Sequence, residues 1–296
     1  MKILLVYPRY PDTFWSFRHA LKFTQHKALN TPLGILTIAA MLPEDWEKKV
    51  VDMNTNKLSD RDIEWADHVF LSAMIAQQKS AREVVDRCKK LNKKVVGGGP
   101  LFTTGYNEFD FSDVDHVVMN EAEITLPLFL EDLKNGCPRP VYQTDERADV
   151  TRTPTPMFSL LDLQKYASVT IQYSRGCPFD CEFCDIVVLD GHQPRTKSKD
   201  QVISELDAVY EAGYRGGVFI VDDNFIGNKK KLKAEILPLI AQWQEKRNYP
   251  FSFLTEASIN MADDEELMQL MSGAGFNNVF VGIETPNEES LCECNK

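Results

Sequence analysis

The chain has 296 residues, with 33 basic and 44 acidic side chains and a formal net charge of −11. A hydrophobic content of 43% beside 26% charged residues is that of a folded globular protein, which excludes disorder, collagen-like repeats and a disulfide-rich secreted scaffold. No stretch approaches the roughly 18 apolar residues of a membrane-spanning helix, and the opening MKILLVYPRYP is too short in its apolar part for a secretory signal. The acidic balance argues against gripping nucleic acid through bulk charge, so a cytoplasmic protein with no nucleic-acid partner is expected.

Residues 1–135 alternate between strand and helix signals. Short apolar runs fall at Ile3–Tyr7, Val50–Val51, Val69–Leu71, Val95–Val96 and Val117–Val118. Helical patterns lie between them at Leu33–Leu42, Ala81–Leu91 and Ala122–Leu133. Such a series predicts parallel βαβ units in an open doubly wound sheet of about five strands, with ligands at the carboxyl ends of the strands. Gly97, Gly98 and Gly99 with Pro100 fall at one such end, where missing side chains let a ligand approach the backbone; a tight turn explains them equally well. From 136 to 167 the pattern lapses into a polar stretch punctuated by Pro138, Pro140, Pro154 and Pro156, which reads as a linker or strap.

A second βα series occupies 168–296. The first strand is expected at Ser168–Ser174, with Thr170, Gln172 and Ser174 on a polar face. A helix over about 199–212 ends near Gly213 and is followed by a strand at Val218–Val221. Next comes a helix that Pro238 kinks or breaks, a strand at Phe251–Leu254, a helix through Leu267–Met271 and a strand at Val279–Ile283. Four βα strands make a partial barrel, and the chain stops without covering the last, so a C-terminal truncation is expected.

Seven cysteines occur, at positions 88, 137, 177, 181, 184, 292 and 294, and three of them cluster within eight residues. Cys177-Pro-Phe-Asp-Cys181-Glu-Phe-Cys184 has the spacing CxxxCxxC and follows the polar-faced strand. Three thiolates on one short loop suit three irons of a 4Fe–4S cluster and leave the fourth iron open for chemistry. A Cys3His zinc site completed by His192 and incidental buried cysteines are the competing readings. Cys292-Glu-Cys294 is too tight for a usual zinc knuckle, and Cys88 carries no signal.

CxxxCxxC with Phe183 before its last cysteine, on the loop after the first strand of a βα series, resembles the radical SAM superfamily. The resemblance implies that Cys177, Cys181 and Cys184 hold the cluster while S-adenosylmethionine chelates the open iron. One electron then cleaves the sulfonium to methionine and a 5′-deoxyadenosyl radical that abstracts hydrogen from an unactivated C–H; the protein positions the reactants and excludes water and oxygen. A doubly wound domain before such a core resembles the cobalamin-binding subgroup. The stretches FWSFRHALKF (14–23), TPLGILTIAAMLP (31–43) and RGCPFDCEFCDIVVLDGHQPRTKS (175–198) are similar to the branch containing the hopanoid C-2 methylase. That branch implies methyl transfer from methylcobalamin to a substrate carbon, remethylation by a second S-adenosylmethionine, a low-potential electron donor such as a flavodoxin, and a small-molecule or lipid-like substrate.

The sequence departs from many cobalamin proteins in lacking a DxHxxG motif over 1–135: Asp67-His68 and Asp115-His116 have the wrong spacing and sit at strand starts. If cobalamin binds, no histidine ligand from such a motif is expected. Its expected contacts are the Gly97–Pro100 turn and the loop from Pro8 to Trp15. Asp222, Asp223 and Asn224 end the second barrel strand, where the superfamily often contacts the amino group of S-adenosylmethionine; a helix N-cap is the plainer reading. Glu256 and Glu284 each end a strand on the same expected rim, as ribose or amino contacts or as ordinary loop carboxylates. Trp15, Phe17 and Phe23 form an aromatic wall or belong to the core. His192 and Arg195 read as structural or solvated, and Lys229-Lys230-Lys231 as a solvated helix start. The leading expectation is a cobalamin-dependent radical SAM C-methyltransferase. A cyclase or rearrangement enzyme on the same cofactors is the second, and a non-catalytic iron–sulfur or zinc protein the third.

Overall fold

The computed structural model describes residues 1–105, 110 and 112–296; the side chain of Trp15 lies outside the described residues. The chain divides into two compact units, one of residues 1–148 with 156–167, the other of 149–155 with 168–296.

The first unit is built on six parallel strands, β1 (Lys2–Tyr7), β2 (Glu47–Asp52), β3 (His68–Ser72), β4 (Lys94–Gly98), β5 (His116–Val118) and β6 (Val141–Tyr142), in the order β2-β1-β3-β4-β5-β6. Ile3, Leu4, Leu5 and Val6 are wholly buried, as a strand covered on both faces requires. The strand order reverses at β1, between β2 and β3, and this is the switch point outside whose carboxyl ends an open α/β sheet binds ligands. The sixth strand comes from the stretch read as a strap. Val141–Tyr142 adds to the sheet edge because Tyr142 is buried and its hydroxyl donates to Asp132 at 2.8 Å.

The second unit carries β7 (Tyr166–Ile171, of which Ser168–Ile171 lie in this unit), β8 (Gly216–Ile220), β9 (Phe251–Glu256) and β10 (Phe276–Phe280), all parallel and adjacent in the order β10-β9-β8-β7. Helices Lys199–Glu211, Leu237–Lys246 and Glu265–Gly273 alternate with them, giving the run of βα units of a partial barrel. Val169, Val218 and Phe253 are wholly buried in register on neighbouring strands.

Three local expectations need correction. The first barrel strand ends at Ile171, because the amides of Gln172 and Tyr173 turn to the carboxylates of Glu205 and Asp222 instead of continuing the ladder. Pro238 breaks nothing: Leu232–Ile236 form a π-turn in which the Leu237 amide reaches back five residues to Leu232, and an α-helix continues from Leu237. The last strand starts three residues earlier than expected, since buried Phe276 anchors it while exposed Asn277 and Asn278 conceal its start from a hydropathy reading. Among the described residues no helix is long and apolar enough to cross a membrane.

Candidate functional site

The cysteine loop leaves the barrel at the carboxyl end of β7. Ser174–Arg175 pairs antiparallel with Arg195–Thr196, so residues 176–194 form an excursion closed at its neck by a two-stranded ribbon. Gly176 stands just inside the neck with φ +94°; a Cβ there would lie 2.8 Å from the Gln193 carbonyl oxygen and 2.9 Å from that of Gly191. Only glycine satisfies both the left-handed backbone and that crowding. The Cys177 amide donates to the Gly191 carbonyl (3.2 Å), and the Cys184 amide to that of Cys181 (3.0 Å). All three thiols are free and half-buried. Burial raises the Cys177 thiol above its ordinary range, and the charges of Asp223, Cys184 and Cys181 add to the shift.

Among the described residues, no three Cys, His, Asp or Glu side chains converge on one ion position. A 4Fe–4S cluster does not require that, because each thiolate takes its own iron. His192 is exposed. Three thiols of matching type on one glycine-necked loop fit the cluster.

The residues after β8 divide their roles. Asp222 is 1% exposed, and its two oxygens accept from the Tyr173 amide (2.7 Å) and the Ser174 hydroxyl (2.6 Å). Burial pushes its carboxyl up to about 6. Its oxygens are committed to the stem of the cysteine loop, so the expectation that it meets a ligand ammonium is corrected to one of bracing. Asp223 accepts the Gly176 amide at 3.2 Å, next to Cys177. Burial, reinforced by the charges of Asp222 and Glu256, raises it to about 6. Asn224 is buried and stands at the N-cap position of the 3-10 turn Phe225–Asn228, though without a side-chain cap bond; its side-chain amide instead donates to the Ser258 hydroxyl at 3.2 Å. Glu256, the last residue of β9, is raised by burial and has no hydrogen-bond or ion-pair partner among the described residues. Asp223 and Glu256 thus present neighbouring carboxylates on one rim. Glu284 does not join them: β10 ends at Phe280, and Glu284 lies four residues beyond it, exposed, 3.5 Å from the Lys296 ammonium.

In the first unit, the glycine run is explained largely by packing. A Cβ on Gly97 would fall 2.4 Å from the ring of buried Phe102. Gly99, at φ +86°, starts the short helix Pro100–Thr103, and a Cβ there would lie 2.9 Å from Ser72 Oγ. Gly97 is therefore filled from inside, which corrects its reading as a ligand contact; Gly98 and Gly99 remain at the carboxyl edge. At the switch point the carbonyl of Pro8, just past β1, accepts from Gln77 Nε2 (2.6 Å) and Asn54 Nδ2 (3.1 Å). Asn54 Oδ1 accepts the Tyr10 amide at 2.9 Å. Buried Asp52 holds this arrangement from β2, accepting from the Asn54 amide (2.8 Å) and from the Tyr166 hydroxyl (2.8 Å). Burial raises Asp52 above its ordinary value. Tyr10, Met74 and Ile75 are exposed at this edge. Phe17 and Phe23 are exposed and so do not belong to the core.

Asp52, Lys197, Glu205 and Tyr166 escaped the sequence reading. A signal existed for Glu205, a carboxylate placed on the apolar stripe of Val202, Leu206 and Val209. Asp52 closes an apolar strand, another place where a buried acid shows.

An open α/β sheet with a braced switch-point loop thus precedes a βα barrel series whose first strand delivers a three-thiol loop. Residues 26–130 match the B12 binding domain and residues 171–296 the radical SAM superfamily. The two matches lie in the order B12-binding domain, then radical SAM core, and those families imply a 4Fe–4S cluster, S-adenosylmethionine and cobalamin. It is 47% identical over 98% of its length to an uncharacterized methyltransferase of Synechocystis sp., covering 54% of that protein. It is 38% identical, again over 98% of its length, to the hopanoid C-2 methylase of Rhodopseudomonas palustris, covering 55%. The chain thus spans about half the length of these curated relatives. The cobalamin-dependent S-adenosylmethionine radical enzyme OxsB, solved with aqua-cobalamin bound, superposes with a TM-score of 0.75 over 99% of this chain and 45% of that one; at 18% identity the likeness is one of fold.

Proposed function

We propose that the protein is a cobalamin-dependent radical SAM C-methyltransferase. The observation that carries this reading is the conjunction, on one barrel rim, of the Cys177–Cys184 loop with the open carboxylates of Asp223 and Glu256. Cys177, Cys181 and Cys184 hold the cluster. Asp223 and Glu256 receive the ammonium of S-adenosylmethionine, a charge-assisted contact for two carboxylates otherwise forced together in a half-buried place. Asp222 and Asn224 act behind them, bracing the loop stem and the Ser258 turn. Gly98, Gly99 and the Pro8–Tyr10 loop meet cobalamin along the carboxyl edge of the sheet. When bound, the cluster supplies the electron that cleaves S-adenosylmethionine, and cobalamin carries the methyl group.

The names of the two relatives support methyl transfer, and that of the hopanoid methylase supports a lipid-like substrate with an unactivated carbon. The one-electron chemistry calls for a low-potential donor of the flavodoxin kind and a reducing, cytoplasmic setting. Anaerobic reconstitution with iron and sulfide tests the reading. Paramagnetic resonance of the reduced chain is expected to give a 4Fe–4S signal that changes when S-adenosylmethionine is added, and Cys181→Ala is expected to lose it. Stoichiometric zinc without a cluster, or a cluster indifferent to S-adenosylmethionine, would overturn the proposal.

A further inference from the structure

Beneath the neck of the cysteine loop lies a buried ion pair, Lys197 with Glu205, at 2% and 1% exposure. Both stems of the loop meet it. On the outgoing side the Gln172 amide donates to Glu205 Oε2 at 3.3 Å, and the Gln172 side-chain oxygen accepts from Arg175 Nε at 2.8 Å. On the returning side Lys197 belongs to the stem itself, and its amide donates to the Tyr173 carbonyl at 2.8 Å. Glu205 is held by the helix Lys199–Glu211, whose start is fixed by a capping box between Ser198 and Gln201. The Gln201 side chain also donates to the Thr153 carbonyl at 2.8 Å.

A buried ion pair is a poor way to gain stability. Desolvating two charges costs several kcal/mol each, and apolar residues of similar size commonly serve as well or better. What this pair supplies and an apolar pair would not is an acceptor for the Gln172 amide and a fixed distance between the two stems. We propose that Lys197 and Glu205 are positioning residues that clamp both stems of the cysteine loop and so hold the three thiols at cluster spacing. The inference rests on the cluster assignment above and adds to it residues that touch neither cluster nor substrate.

The test compares the double variant Lys197→Met/Glu205→Leu with Leu206→Ala, which opens the same helix at a wholly buried residue whose apolar side chain makes no hydrogen bond to either stem. In the 296-residue chain without metal, amide exchange at 172–175 and 195–197 is expected to accelerate roughly tenfold, equal to about 1.4 kcal/mol, in the double variant alone. After reconstitution the double variant is expected to hold less than half the wild-type iron and to lose the resonance change on adding S-adenosylmethionine. Leu206→Ala, though it lowers the melting temperature, is expected to keep both. If the double variant does not fold, Glu205→Gln replaces it; it leaves the buried Lys197 ammonium without its counter-charge, so faster stem exchange and less retained iron are expected. Equal loss of iron in the double variant and in Leu206→Ala, or unchanged stem exchange, would overturn the clamp. A wild-type chain that assembles no S-adenosylmethionine-responsive cluster would overturn the cluster assignment instead, while the stem exchange still decides the clamp.

Discussion

Gly176 is constrained twice over, by its backbone and by what surrounds it. Alanine there meets two carbonyl oxygens within 3 Å and a left-handed backbone at once. The conformation alone is unfavourable by about 1–2 kcal/mol for a residue with a Cβ. Gly176→Ala is expected to lower the melting temperature and cut the iron retained after reconstitution, both measured on the same preparation. Asp223 bears on ligand binding differently. Its carboxyl is held near about 6 by burial and by its acidic neighbours, so protonation begins not far below neutrality. An ammonium is attracted only to the ionised form. Affinity for S-adenosylmethionine is therefore expected to fall as the pH drops through about 6, and Asp223→Asn to flatten that dependence, as equilibrium binding across pH would show. Affinity that is flat in pH in the wild type would remove Asp223 from the binding role.

Among elements, the loop after β1 shows how a strand end becomes a rigid ledge. Three side chains reach it in series: Asp52 orients Asn54, and Asn54 with Gln77 fixes Pro8. Tyr166 closes the series by donating to Asp52. Tyr166→Phe removes that donor from a buried carboxylate and is expected to cost about 1–3 kcal/mol in urea unfolding, with little change in the cysteine loop's iron content. This device was only partly legible in advance. The apolar runs of β1 to β5 declared a parallel sheet, because strands buried on both faces have no other composition. Asp52 looked like a strand end, and nothing in its neighbourhood in the chain pointed to Tyr166, 114 residues away. The π-turn before Pro238 has the same character: a proline announces that a helical hydrogen bond is missing, and only the fold decides whether the helix breaks or rewinds around the gap.

Across the whole molecule, the histidines offer a clear test of how cobalamin is held. His68 and His116 open β3 and β5, so they stand at the amino edge of a parallel sheet whose ligand edge is the opposite one. Burial lowers His68 from its ordinary value, and His116 bonds the Arg139 carbonyl through Nδ1 at 2.8 Å. His68→Ala and His116→Ala are expected to leave cobalamin uptake and its visible spectrum unchanged; a spectral shift in either would place a histidine on the cobalt. By itself the sequence determined the two βα series, the three-thiol loop and the rim on which Asp223 and Glu256 stand. Those features are written in local periodicity and in spacing along the chain, and neighbours in sequence are enough to express them. Tertiary structure alone decided that Asp222 faces inward, that Gly97 is filled by Phe102, that Glu284 falls beyond its strand, and that Lys197 meets Glu205. Each of these depends on which side of a backbone a residue takes and on what a distant segment brings to it, and in a folded chain burial fixes both.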